Sequence, residues 1–183
     1  MYRCRVWPTS NFAIRSQRNR TQPLSGASNL IRFSEDGSDA LWISFGGSKL
    51  GKSTTIAAPD GTMTMNLFDA SGATGIYQTF TSNGFADARI GEVFTCSVWM
   101  ATETGKNNST QGGISYYNGI GSTYSGTFAL TQTPTRFTFT FTNTTGVAAG
   151  SNITVESKVA GKFLWWGYQL ERGPTMTQYT KRS

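Results

Sequence analysis

The chain has 183 residues, of which 37% are hydrophobic and 14% charged, a length that suits one domain with a two-layer core and is short for two. It contains no histidine, which excludes Ser-His-Asp and Cys-His catalysis in their usual form and every histidine-containing zinc site. The formal charge of +6 is uneven: Arg3, Arg5, Arg15, Arg18, Arg20 and Arg32 precede the first acid, Glu35, while from residue 33 onward ten basic residues balance ten acidic ones.

Residues 1–28 therefore read as an extended Arg-rich arm, closed by the turn-forming stretch Pro23-Leu-Ser-Gly26. A basic arm can engage nucleic acid, an anionic membrane or an acidic protein surface. Here Trp7, Phe12 and Ile14 interleave with arginines and no lysine occurs, a mixture that favours packing against protein over nucleic acid. Arg3, Arg5, Trp7, Phe12, Ile14, Arg15, Arg18 and Arg20 are the expected partner-binding residues. No apolar run reaches the eighteen or so residues of a membrane-spanning helix, and arginines interrupt what would be a secretory leader. Cys4 and Cys96 are too few for a disulfide scaffold and read as thiols.

Residues 29–183 read as the folded body. Twelve Phe, seven Tyr and five Trp sit among β-branched residues and turn formers, a composition that favours strands. Weak strands are predicted over 40–45, 75–80, 113–118 and 123–130. Alternation is cleaner in Thr62–Leu67, where Met63, Met65 and Leu67 share a face, and in Phe94–Met100, where Phe94, Cys96, Val98 and Met100 do. Phe137, Phe139 and Phe141 alternate with three threonines, Ile153 and Val155 begin another strand, and residues 163–171 close the set. That closing strand is apolar on both sides, with Leu164, Trp166, Tyr168 and Leu170 expected one way and Phe163 and Trp165 the other. Its second face then needs a cover, which the arm or a neighbouring subunit would supply. Short strands at this spacing predict an all-β antiparallel sandwich, and no ten-residue stretch carries capped helical periodicity.

Few motifs point to chemistry. Gly46-Gly-Ser-Lys-Leu-Gly51-Lys52-Ser53 fits the phosphate-loop pattern. The residues that follow, Thr54-Thr55-Ile56 and then Pro59-Asp-Gly61, leave no room for the helix that such a loop must open, so a surface loop joining two strands is expected. Asp60, Asp69, Asp87, Glu92, Glu103, Glu156 and Glu171 are scattered, unlike the paired carboxylates of glycoside hydrolysis, and read as surface acids. Asp36, Asp39 and Asp60 have the chemistry of calcium ligands but sit in turn-forming sequence; no metal and no cofactor are expected. The candidates for sugar binding are aromatic rings, which stack on the apolar faces of pyranoses: Trp42, Tyr77, Trp99, Tyr116, Tyr117, Tyr124 and Tyr168.

Five stretches in order carry a family likeness: residues 29–36 (Asn-Leu-Ile-Arg-Phe-Ser-Glu-Asp) with Trp42, Ala58-Pro-Asp-Gly-Thr62, the Phe94 and Phe137 strands, and Trp166-Gly-Tyr-Gln-Leu-Glu171 closing on Tyr179. Over about residues 29–179 the chain resembles the carbohydrate-binding-module-like jelly-roll domains of bacteriophage tail and virion-surface proteins. The resemblance implies a two-sheet antiparallel jelly roll in a virion, made in the host cytoplasm. The expected role is structural: a capsid decoration or cement protein, or a small tail component, homo-oligomeric and fastened to other virion proteins by its arm. The alternative is a carbohydrate-binding adhesin module that recognises a host-surface glycan. An enzyme is not expected.

Overall fold

The computed structural model describes residues 29–83, 88–145 and 150–183. The arm, residues 1–28, lies outside them, and so do the arm residues singled out above. Nine strands follow in chain order: β1 (Ile43–Lys52), β2 (Asn66–Thr79), β3 (Val93–Thr102), β4 (Gln111–Tyr117), β5 (Ser122–Tyr124), β6 (Phe128–Ala129), β7 (Thr135–Thr142), β8 (Asn152–Ser157) and β9 (Gly161–Arg172). Every pairing between them is antiparallel.

The long β2 strand makes two layers from one chain of pairings. One of its edges pairs with β1; along the other, Asn66–Ala70 pairs with β9 and Gly75–Thr79 with β8. One layer therefore runs β2-β9-β3-β7 and the other β2-β8-β4-β5, with β6 beside the far end of β4. The result is a two-sheet antiparallel jelly-roll sandwich. Between the layers lie Phe68, Phe94, Val98, Phe141, Phe163 and Trp165 from the first, and Ile76, Ile114, Tyr116, Ile153 and Val155 from the second. Alternation in β3, β7 and β8 puts these side chains inward, as the sequence predicts. Tyr116 stacks on Phe141 with centroids 4.2 Å apart, and Phe94 stacks on the same ring at 5.7 Å.

Three expectations need correction. The Thr62–Leu67 strand starts only at Asn66, and the residues before it form a turn in which Ala58 N–H donates to Thr62 O at 2.7 Å. The phosphate-loop pattern is not a connecting loop: residues 46–52 belong to β1, an edge strand with irregular register after Phe45 and Lys49. It pairs with β2 on either side of two bulges, where Gly46 and Gly51 take positive φ, and the residues that follow form turns rather than the helix a phosphate loop must open.

The third correction concerns β9. Simple alternation holds to Trp166 and then shifts by one residue, because β9 carries an extra residue between the pairs Ser97↔Gln169 and Trp99↔Trp166. Gly167, at φ +61°, makes the bulge. Tyr168 and Leu170 therefore join Phe163 and Trp165 in the inter-layer core, while Leu164 and Trp166 stay outside with Ala58, Met65 and Ala101. The cover over that second face comes from the same chain: residues 53–65 and the tail bearing Tyr179. Trp166 Nε1–H donates to Thr64 Oγ1 at 3.0 Å, and Tyr179 packs its ring 5.0 Å from Trp166 and donates from its hydroxyl to Glu35 at 3.0 Å.

Candidate functional site

The outer face of the β2-β8-β4-β5 layer, extended by the start of β1, gathers two exposed rings, Phe45 and Tyr124, and two half-buried ones, Tyr77 and Tyr117. Strand register fixes its composition row by row. One cross-strand row reads Ile43, Tyr77, Thr154, Ser115, Tyr124. The row on one side reads Thr79, Asn152, Tyr117, Ser122; the row on the other reads Phe45, Gly75, Glu156, Gly113. Because side chains alternate across a strand, all of these point away from the core that Ile76, Val155 and Ile114 fill. Most of them, with the four rings Phe45, Tyr77, Tyr117 and Tyr124 among them, line a shallow open groove of about 280 Å³. The groove is open to solvent rather than enclosed, so a ligand would lie across the face rather than inside it.

Three strand steps separate Tyr77 from Tyr124, a span of roughly 14 Å at about 4.8 Å per step. Between those rings lie hydroxyls and amides from Ser115, Ser122, Thr154 and Asn152. Phe45 contacts Tyr77 with centroids 6.2 Å apart and is 38% exposed; Tyr124, at 58%, is the most exposed ring of the group. Rings at intervals with small polar groups between them can stack on the apolar faces of sugar rings and bond the hydroxyls at their rims.

One charged pair sits at the groove. Glu156 is buried, flanked across the sheet by Gly75 and Gly113, and paired with the Lys158 ammonium. The same ammonium lies 4.7 Å from the centroid of the Tyr124 ring.

The sequence-predicted rings divide cleanly. Tyr77, Tyr117 and Tyr124 come together on this face. Trp42, Tyr116 and Tyr168 do not: each is at most 1% exposed, and a ring inside the core offers no face to a sugar. Trp42 packs 4.5 Å from Trp165 and donates its indole N–H to Phe33 O at 3.0 Å. Tyr116 donates its hydroxyl to Asn143 Oδ1 at 2.8 Å. Burial pushes the Tyr168 phenol well above its ordinary pKa and does the same to the neighbouring Cys96 thiol, so both stay neutral. Trp99 belongs to the opposite layer, where Arg136 stacks 4.5 Å from its ring and Trp166 and Tyr179 pack against it. Phe45 was the ring the sequence did not single out; its alternation with Ile43 at the start of an edge strand is the signal that marks it.

The acids are less superficial than their scatter suggests. Glu103, Glu156 and Glu171 are buried, each bound by neighbours. Glu103 accepts from Ser53 Oγ at 3.0 Å, from Thr55 Oγ1 and from the Thr104 amide at 2.8 Å; Thr177 donates to Glu171. Burial would raise the Glu103 carboxyl, yet those donors outweigh it and hold its pKa below the ordinary value. Asp36, Asp39 and Asp60 each accept from the backbone amide two residues on, at 3.1, 2.8 and 3.0 Å, so all three serve as turn formers.

Layering and strand order together define a jelly roll with the fold of carbohydrate-binding modules. Among similar solved structures is the CBM22-1 xylan-binding domain of Paenibacillus barcinonensis Xyn10C, 14% identical with a TM-score of 0.60 over 82% of this chain and 97% of that one. The CBM22-1–GH10 modules of Clostridium thermocellum Xyn10B, complexed with xylohexaose, are 12% identical with a TM-score of 0.57 over 85% of this chain and 30% of theirs. The enzymatically active domain of bacteriophage CBA120 tailspike protein 4 is 11% identical with a TM-score of 0.51 over 79% of this chain and 21% of that one. Identities this low establish a common fold and nothing finer. No protein-family model and no curated protein matches the chain.

Proposed function

We propose that the chain is a carbohydrate-binding module that holds a glycan across the outer face of β2, β8, β4 and β5. The observation that carries this reading is the gathering of Phe45, Tyr77, Tyr117 and Tyr124 on one open face with hydroxyls and amides between them. The xylan-binding and xylohexaose-bound neighbours support it through fold. A purely structural role in a particle would call for the second face of β9 to be buried in a partner. That face is closed by residues 53–65 and Tyr179 of the same chain, which favours a binding module. The role is binding without chemistry: Glu156 is the carboxylate among the described groove-lining residues, and it is tied to Lys158, whereas glycoside hydrolysis needs two.

A phage particle is the location proposed for this binding, on the sequence resemblance and on the fold shared with a tailspike domain. There the arm would fasten the module to virion proteins and the groove would meet host-surface glycan. Peptide mapping of purified particles by mass spectrometry checks the location.

The binding test is calorimetric titration with soluble neutral hexasaccharides (xylose, glucose, mannose and N-acetylglucosamine series). Tyr124→Ala and Tyr77→Ala should each weaken binding by about 2 kcal/mol, roughly thirtyfold, as truncation of an aromatic anchor does, with melting temperature unchanged. Full affinity in both variants would move the site elsewhere.

A further inference from the structure

We infer that Lys158 and Glu156 form a positioning pair that fixes the Tyr124 ring for ligand, an inference that rests on the glycan-binding reading of this face. The pair is built into the sheet. Glu156 stands in a row whose neighbours on either side, Gly75 and Gly113, have no side chains, so a gap opens beside it. Lys158 fills the gap over Gly113: a Cβ added at Gly113 would come 2.5 Å from Lys158 Cε and 3.0 Å from its Nζ. The backbone of Lys158 is pinned at the same place, its N–H donating to Gln111 O at 3.0 Å. From there the ammonium meets the buried Glu156 carboxylate and the face of Tyr124 at once.

This geometry answers a problem set by the fold. Tyr124 ends β5, a three-residue strand at the layer's edge, and it is more than half exposed. A ring so placed samples several rotamers, and each one excluded before binding is entropy that the ligand does not have to remove. An ammonium held by a buried carboxylate is a fixed charge, and its attraction to the ring selects one rotamer. Lys158 caps one face of Tyr124 and leaves the opposite face to stack on sugar. Its own charge is occupied by Glu156, so it acts through the ring and not by direct contact with ligand.

The test is a double-mutant cycle on the full chain with the same hexasaccharide panel. Lys158→Met should weaken binding of the preferred sugar about two- to fivefold, the range of an exposed cation–π contact. Glu156→Gln should do the same by releasing the ammonium, and Lys158→Arg should retain most of the affinity. In a Tyr124→Ala background Lys158→Met should change nothing further, because the ring it positions is gone. In the unliganded protein the Lys158 ε-methylene protons should be ring-current shifted upfield, and that shift should vanish in Tyr124→Ala. Additive losses in the cycle would make Lys158 an independent ligand contact and overturn the positioning role. Loss with Tyr124→Ala but none with Lys158→Met would overturn it while leaving the glycan reading intact. No binding by the wild-type protein to any hexasaccharide would remove the glycan reading itself, and this inference with it.

Discussion

At Gly167 the backbone sits at φ +61°, and an added Cβ would lie 2.9 Å from the Trp99 ring. An L residue there pays for the left-handed conformation, about 1–2 kcal/mol, and must also displace a rigid indole packed against Trp166 and Tyr179. Gly167→Ala should therefore destabilise the fold by about 2 kcal/mol or more, read as a lower urea midpoint with an unchanged m-value. An unchanged midpoint would show that the bulge is not fixed by this residue. The same glycine marks where the closing strand stops being legible. From Phe163 to Trp166 the alternation assigns each side chain to its correct face. Beyond Gly167 the one-residue shift reverses it, and Tyr168 and Leu170 go into the core. Nothing in the local pattern separates a glycine that fits a regular strand from one that makes a bulge; the difference arises from the partner strand, at Ser97 and Trp99.

Among the elements, β3, β7 and β8 were readable because each alternates apolar residues on the core face with mostly polar ones on the other, a chemical alternation that stays informative even where, as in β3 and β8, the polar face is buried as well. The segment of residues 53–65 was not, because it is apolar for a different reason: it is a cover, held by turns and side-chain bonds rather than a ladder. Ala58, Met65 and Ile56 pack on Leu164 and Trp166, and its near end is clamped where Ser53 and Thr55 donate to Glu103. A clamp of that kind has a pH signature. Glu103 has a folded pKa below its ordinary value of 4.5, so its stabilising contribution is present in full above that value and is lost as pH falls through the lowered one. Glu103→Gln lacks the charge throughout. The difference in melting temperature between wild type and Glu103→Gln should be constant from pH 7 to about pH 5 and should shrink on further acidification. A difference that stays constant down to pH 3 would mean that the carboxylate is not ionised in the clamp. The proposed binding face was half legible for a related reason. Tyr77, Tyr117 and Tyr124 were recognisable as candidates, but only register tells them from Tyr116, one residue from Tyr117 on the same strand and directed the opposite way.

At the scale of the described body, residues 29–36 close the fold against β9 and the C-terminal tail. Leu30 N–H donates to Leu170 O at 2.8 Å, Asn29 Nδ2 donates to Tyr168 O at 2.9 Å, and Leu170 N–H returns a bond to Asn29 Oδ1 at 3.1 Å. Arg182 donates to the carbonyls of Asn29 and Leu30 at 3.2 and 2.9 Å, and Ser34 N–H donates to Arg182 O at 3.0 Å. Residues 29–36 are thus part of the folded body, tying β9 to the tail. Two truncations separate the body from what precedes it. A chain starting at Asn29 keeps every one of these bonds and loses Arg3, Arg5, Arg15, Arg18 and Arg20, which takes the formal charge of +6 down to +1. It should melt at the same temperature as the full chain and bind the preferred hexasaccharide with equal affinity, while retention on an anionic exchanger at low salt falls. A chain starting at Gly37 also loses the buried Asn29, Ile31 and Ser34 and the Glu35 partner of Tyr179, leaving acceptors and apolar surface on β9 uncovered. Several buried polar partners and a core isoleucine removed together, each worth about 1–3 kcal/mol, should leave little or no cooperative melting transition. Equal melting of the two truncations would show that residues 29–36 do not hold the jelly roll closed, and a lower melting point for the chain starting at Asn29 would place part of the fold's support within residues 1–28.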